Sequence, residues 1–170
     1  MESFDEYKRR LLGYLGERDP LEVMAATPAA LRARVDALSA AALYAAPAPG
    51  KWSVAQIMAH LADSDLVFAY RVRTILAKSG TPIAAYDQDG WAAAFRYEQV
   101  PPEQSLERIT AVRESTLVLL RALSAEEWQR YGIHEERGKE SVDDLTRLYA
   151  GHDFNHMQQV DRIASAAAPR

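Results

Sequence analysis

Apolar residues in the segment 140–163 recur at intervals of three and four, so that Leu145, Leu148, Tyr149, Val160 and Ile163 fall on one face of a helix. His152 and His156 occupy the turns inside that stripe. Residues four apart on a helix lie above one another, with Cβ atoms roughly 5–6 Å apart, so both imidazoles can converge on one point between helices. A second long segment, 53–78, carries Val54, Ile57, Met58, Leu61, Leu66, Phe68, Val72, Ile75 and Leu76 on a broad apolar face. His60 shares its rhythm with Ile57, Ser64 and Val67, and so it too can face inward. Segments this long and this periodic commit the chain to packing helix on helix. No strand-like alternation long enough to build a sheet interrupts them, and the expected class is all-α.

The remaining punctuation divides the chain into further helices. Residues 2–16 form a first amphipathic helix through Phe4, Tyr7, Leu11, Leu12 and Leu15, and Gly16 stops it. Thr27 and Pro28 open a helix over 28–38, with room for a short one before it. The prolines and glycine of 46–51 make a surface connection. Ser53 and Gln56 then form a capping box, with Trp52 before it as a staple. Residues 79–103 are the longest connection, containing a short helical piece at about 90–97, and a crossover of this length allows the helices flanking it to run parallel. Leu106, Ile109, Val112, Arg113, Thr116, Leu119, Leu120 and Leu123 mark the third bundle helix, over 105–123. Ser124 and Glu127 cap a short helix. The charged stretch 133–138 reads as a turn, which makes His134 a solvated histidine, and residues 164–170 are expected to fray. At 170 residues the whole chain, 1–170, is most simply one domain.

Charge and composition exclude several functions. Lys and Arg total 20 against 24 Asp and Glu, a balance of −4 with no basic tract interleaved with aromatics, which argues against a nucleic-acid partner. There is no Gly-rich phosphate loop, and no window approaches the roughly 18 apolar residues of a membrane span. The start of the chain lacks the apolar core of a signal peptide, which suggests a cytoplasmic protein. With no cysteine, the chain has no thiolate nucleophile of its own, and any metal must be held by nitrogen and oxygen. The His-x-x-x-His pair is not the zinc-protease pattern, because Asp153 and not Glu follows the first histidine. Taken alone, the pair fits either two metal ligands or two core histidines satisfied by hydrogen bonds.

Read together, the motifs carry a resemblance. Trp52-Ser53, His60-Leu61 with Asp63, Tyr86-Asp87-x-Asp89-x-Trp91, and Tyr149-x-x-His152-Asp153-x-x-His156 followed by Gln159 resemble the DinB/YfiT-like superfamily over about residues 31–163. The resemblance implies a four-helix bundle with a long crossover, 79–103, between its second and third helices. It further implies one divalent ion, commonly zinc or nickel, on His60, His152 and His156, and a homodimer. The activities it implies are metal-dependent hydrolysis or transfer to a low-molecular-weight thiol acting as cosubstrate.

Three neutral imidazoles leave a divalent ion with an open position, the arrangement of a catalytic site, where either water or a thiol loses its proton more readily. A small-molecule substrate follows. Asp63, one turn from His60, either orients a ligand imidazole or accepts a proton, or is a solvated carboxylate. Arg71 either holds a substrate carboxylate or pairs with Asp. Tyr149 borders the pocket or belongs to the core, and Trp91 with Tyr86 covers the pocket mouth or anchors the crossover. Asp153 lies about 100° around the helix from His152 and is not expected to bind the ion. The competing class is a non-catalytic bundle, a stress-response homodimer or metal sensor.

Overall fold

Local capping chemistry sets most helix boundaries in the computed structural model, which describes residues 2–167. Helix α1 (Phe4–Leu15) begins at a Ser3/Glu6 capping box and ends at Gly16, whose φ of 59° is the left-handed region that glycine enters freely. Helix α2 (Pro20–Asp36) starts with Pro20 behind the Asp19 cap and runs without a break through Pro28, longer than the 28–38 expected. Helix α3 is short (Ala40–Tyr44), and α4 (Val54–Ala77) opens at the Ser53/Gln56 capping box. The crossover holds strand β1 (Thr81–Ile83), helix α5 (Gln88–Ala94) and a 3₁₀ turn (Tyr97–Gln99). Helices α6 (Pro102–Arg121) and α7 (Ala125–Trp128), strands β2 (Tyr131–His134) and β3 (Gly138–Ser141), and helix α8 (Val142–Ala167) complete the order.

Helices α2, α4, α6 and α8 form the bundle, with α1 laid across α8. Side-chain pairs give their directions. Asp63 meets Arg108 while Arg73 meets Ser115 and Thr116, so α4 and α6 run parallel. Thr27 meets Asp153 and Arg34 meets Asp161, so α2 and α8 are parallel too. Arg32 to Glu103 and Arg121 to Glu22 make α2 and α6 antiparallel. The long crossover is therefore what lets α6 return beside α4 in the same direction.

A three-stranded sheet, with β1 parallel to β2 and β2 antiparallel to β3, qualifies the all-helical expectation. Its strands are three or four residues long, too short for period-two patterning to register in sequence, and β1 pairs with a strand some fifty positions on. The sheet is minor, since 71% of the described residues are helical. It nevertheless carries His134 inward: the residue is 1% exposed, not solvated as the charged turn suggested. At the other end, α8 extends through Ala167, since Ala164, Ala166 and Ala167 are strong helix formers. The helix therefore passes the position where the tail is expected to begin, and residues 168–170 of that tail lie outside the described residues. No described helix is long and apolar enough to cross a membrane.

The bundle interior is apolar around Leu31, Ile57, Met58, Leu61, Phe68, Ile109, Leu145 and Val160, and a charged layer crosses it at Arg113. Arg113, 3% exposed, pairs with Asp65 of α4 (2.5 Å) and Asp153 of α8, and Asp153 accepts the Thr27 hydroxyl (2.8 Å). Arg113 also donates to the Met24 carbonyl (3.3 Å), the group left without a helical partner because Pro28 has no N–H. One guanidinium thereby joins α6 to three other helices and lets α2 continue through its proline. Burial raises the Asp65 carboxyl to about 6, against the pull of Arg113. Arg113→Met leaves two buried carboxylates facing each other and should lower stability by about 3–5 kcal/mol, measured by denaturant unfolding. Replacing Asp65 and Asp153 by leucine in the same chain should recover most of that loss.

Candidate metal centre

His60 stands in the second turn of α4, and His152 and His156 stand one turn apart on the antiparallel α8. Helical spacing alone brings the α8 pair together, and the α4–α8 packing adds the third ring. His152 Nε2 lies 3.2 Å from His60 Nε2 and 3.0 Å from His156 Nε2, and the three ligand atoms all fall within 4.8 Å of one another. His60 and His156 are buried, while His152 retains partial exposure.

Protonation follows from this enclosure. Burial pulls His60 down to about 3 and His156 to about 4, and it holds His152 well below the usual imidazole range, reinforced by the other two rings. All three are neutral at pH 7. His156 Nδ1 donates to Gln159 Oε1 (2.8 Å), which leaves its Nε2 bare and facing the other two. The Nδ1 atoms of His60 and His152 are buried and have no partner among the described residues. With the protons of His60 and His152 also on Nδ1, all three Nε2 lone pairs face one another, an arrangement that a cation among them satisfies. A tetrahedral zinc ion bonded to nitrogen at ~2.0–2.1 Å separates its ligand atoms by about 3.3 Å, close to the two spacings observed. The donor set fits a divalent ion.

Two cavities reach the cluster from different sides. The larger, about 670 Å³, touches His156 and is lined by Tyr7, Arg10, Trp52, Gln88 and Gln159 among others. The smaller, about 280 Å³, touches His152 and is lined by Ser64, Arg71, Tyr86, His134 and Tyr149. Tyr7 of α1 and Gln88 of α5 border both. The Ser64 hydroxyl lies 3.4 Å from His60 Nε2 and 3.1 Å from the Tyr86 hydroxyl, and the Trp52 ring covers His60 with centroids 4.9 Å apart.

The other expected residues have distinct surroundings. Asp63 is buried, not solvated; one oxygen accepts the Tyr97 hydroxyl (2.6 Å) and the other accepts from Arg108, and it lines neither cavity. Arg71 is buried and donates to the Ala84 carbonyl (2.7 Å) and the Tyr149 hydroxyl (3.4 Å). Tyr149 both stacks on Phe68 and lines the smaller cavity. Trp91 stacks on Tyr86 (centroids 4.8 Å) and supports it without lining either cavity. Asp153 points at Arg113, away from the histidines. Tyr7, Gln88 and His134 went unrecognised at the site because α1, α5 and the sheet approach it through tertiary packing. Ser64 carried a readable signal, being one turn after His60 on the same face.

The lowered histidines make a prediction for metal-free protein. Between pH ~6.5 and ~4 the unfolded chain takes up protons that the folded site refuses, so stability falls as pH falls. Each histidine contributes at most ~1.4 kcal/mol per pH unit. Thermal melts of chelator-treated protein should drop between pH 7.5 and 5.5 by more than those of a variant with glutamine at all three positions. Equal drops would contradict the assignment of buried neutral rings.

Comparison with known proteins identifies the family and the fold. The family model described as the DinB superfamily matches residues 24–160. Two similar chains carry the name "putative metal-dependent hydrolase". One, from Oceanobacillus iheyensis, is 32% identical over 114 residues, 67% of this chain and 66% of that one. The other, YfiT of Bacillus subtilis, is 25% identical over 162 residues, 94% of this chain and 90% of that one. The solved YfiT structure, described as having an unusual four-helix bundle topology, superposes with a TM-score of 0.82 at 23% identity, covering 86% of this chain and 85% of that one. A DinB-like protein of Bacillus subtilis superposes with a TM-score of 0.59 at 16% identity, covering 89% and 93%. The chain described here belongs to the DinB superfamily.

Proposed function

We propose that this protein is a metal-dependent hydrolase of a small molecule, with one divalent ion held by His60, His152 and His156. The observation that carries the reading is the meeting of three neutral imidazole nitrogens, two of their spacings being 3.0 and 3.2 Å, beside open cavities. The name borne by the relatives in Oceanobacillus iheyensis and Bacillus subtilis supports it. Bound there, a divalent ion supplies a Lewis acid with a free position, at which water or a thiol loses its proton near neutral pH.

The chain's own groups do the rest. Gln159 holds the His156 ring in the tautomer that presents Nε2. Trp52 closes one side of His60 to solvent. Ser64 Oγ and Tyr86 Oη form a hydroxyl pair within reach of the cluster, able to hydrogen-bond and orient a nucleophile or leaving group there. Asp63 acts at one remove: by gripping Tyr97 and Arg108 it fixes the crossover and α6 against the histidine-bearing end of α4. Trp91 serves likewise as a positioning residue, through Tyr86.

One observation favours a second reading, transfer to a thiol. Two cavities meet at the histidines, enough for two reactants, and a chain without cysteine would take its thiol as a cosubstrate. Zinc- or nickel-loaded protein, purified without a histidine tag, should turn over a panel of small esters and amides in the absence of any thiol. Turnover only when a low-molecular-weight thiol is added would replace hydrolysis by transfer. His152→Ala should lower bound metal at least tenfold and abolish turnover while its helical circular dichroism is retained; stoichiometric metal in that variant would refute the ligand set.

A further inference from the structure

Arg71 is a cation inside the protein without a counterion. It is 4% exposed, and among the described residues it enters no ion pair. The bundle's other deeply buried arginine, Arg113, has two carboxylates. A buried guanidinium is costly unless charge of opposite sign reaches it. Its acceptors are neutral, the Ala84 carbonyl (2.7 Å) and the Tyr149 hydroxyl (3.4 Å), the Tyr86 ring lies 5.9 Å away, and two of the neighbouring groups are donors themselves.

His134 Nδ1 accepts the backbone N–H of Glu136 (3.2 Å), which places the proton of the neutral ring on Nε2. That Nε2–H stands 3.3 Å from Arg71 Nη2, donor against donor. The Tyr149 oxygen accepts from Arg71 Nη1, and its own hydroxyl proton has no acceptor in the protein among the described residues. Donor groups on α4, β2 and α8 thus crowd together along the wall of the 280 Å³ cavity, and among the described residues no carboxylate is hydrogen-bonded to any of them. Of the remaining charged lining groups, Arg137 is paired with Glu140, and Glu136 is exposed at the rim. The buried charge of Arg71 is left without a contacting group of opposite sign among the described residues.

We propose that this cavity binds the carboxylate of the substrate, held by Arg71, His134 and Tyr149. A single uncompensated charge matches a monoanion, and a planar guanidinium suits a carboxylate. The Tyr149 and His152 rings are 6.1 Å apart, so a molecule anchored by its carboxylate extends toward the histidines along the same cavity. The substrate class is a small carboxylic acid whose scissile bond lies a few bonds from the acid group. That last step rests on the metal reading, whereas the carboxylate site itself does not.

Calorimetry on the full chain, with zinc removed by chelation and with zinc restored, separates the two. Benzoate should bind both forms at least about tenfold more tightly than benzamide, its neutral counterpart, and more tightly than inorganic phosphate. Arg71→Gln should lose about tenfold in benzoate affinity while zinc stoichiometry stays at the wild-type value. If that variant does not fold, nitrogen-15 spectra of the wild type decide, since benzoate should shift the His134 ring resonances. Equal binding of benzoate and benzamide, tighter binding of phosphate, an unmoved His134 ring, or benzoate binding only in the zinc-loaded form would each overturn the proposal. Failure to take up zinc alongside intact benzoate binding would instead count against the metal reading alone.

Discussion

The architecture depends on Arg113, a buried guanidinium that α6 extends into the bundle interior between Asp65 and Asp153. An apolar interface tolerates sliding, because one methyl group packs much like another. A fork of hydrogen bonds between fixed charges does not. Asp65 follows Ser64 on α4, and Asp153 follows His152 on α8. The register set by Arg113 therefore fixes, one residue away on each helix, the groups that meet at the candidate centre. Such networks contribute little net stability compared with well-packed apolar side chains, and registry is their best-attested use. In this chain the same guanidinium caps the Met24 carbonyl freed by Pro28, so the register of α2 belongs to the network as well.

Register alone would give only proximity, and burial supplies the chemistry. Surrounded by Trp52, the bundle core and one another, the histidines cannot carry a second proton at neutral pH, and each ring keeps one nitrogen as a lone pair. The close packing of α1 contributes here too. Gly151, beside His152, faces the Leu11 backbone, where a Cβ would come within 2.3 Å of the carbonyl oxygen. The absence of a side chain there lets α1 approach and bring Tyr7 over both cavities. Interior charge and interior histidines thus serve one end: a polar pocket held open within an apolar bundle.

Much of this was legible from residue order. The 3–4 periodicity around His60, His152 and His156 marked inward faces on two helices, and helix geometry required the α8 pair to converge. The capping boxes at Ser53 and Ser124 fell where the pattern located them. What the pattern missed depends on partners distant in the chain. Pro28 looked like a helix start because the donor that rescues α2 is 85 positions away on α6. His134 looked solvated because its burial comes from pairing with Ile83, and three-residue strands leave no periodicity. Asp63 looked free because Tyr97 and Arg108 reach it only after the crossover has folded.

The central claim is that three imidazoles from α4 and α8 surround one cation. Anomalous diffraction from crystals of untagged, zinc-loaded protein tests it most directly. The account predicts a single strong zinc peak within ~2.0–2.1 Å of Nε2 of His60, His152 and His156, with a remaining position open toward the cavities. A peak bound by other residues, or His60 turned away from an ion held by the α8 pair alone, would contradict it.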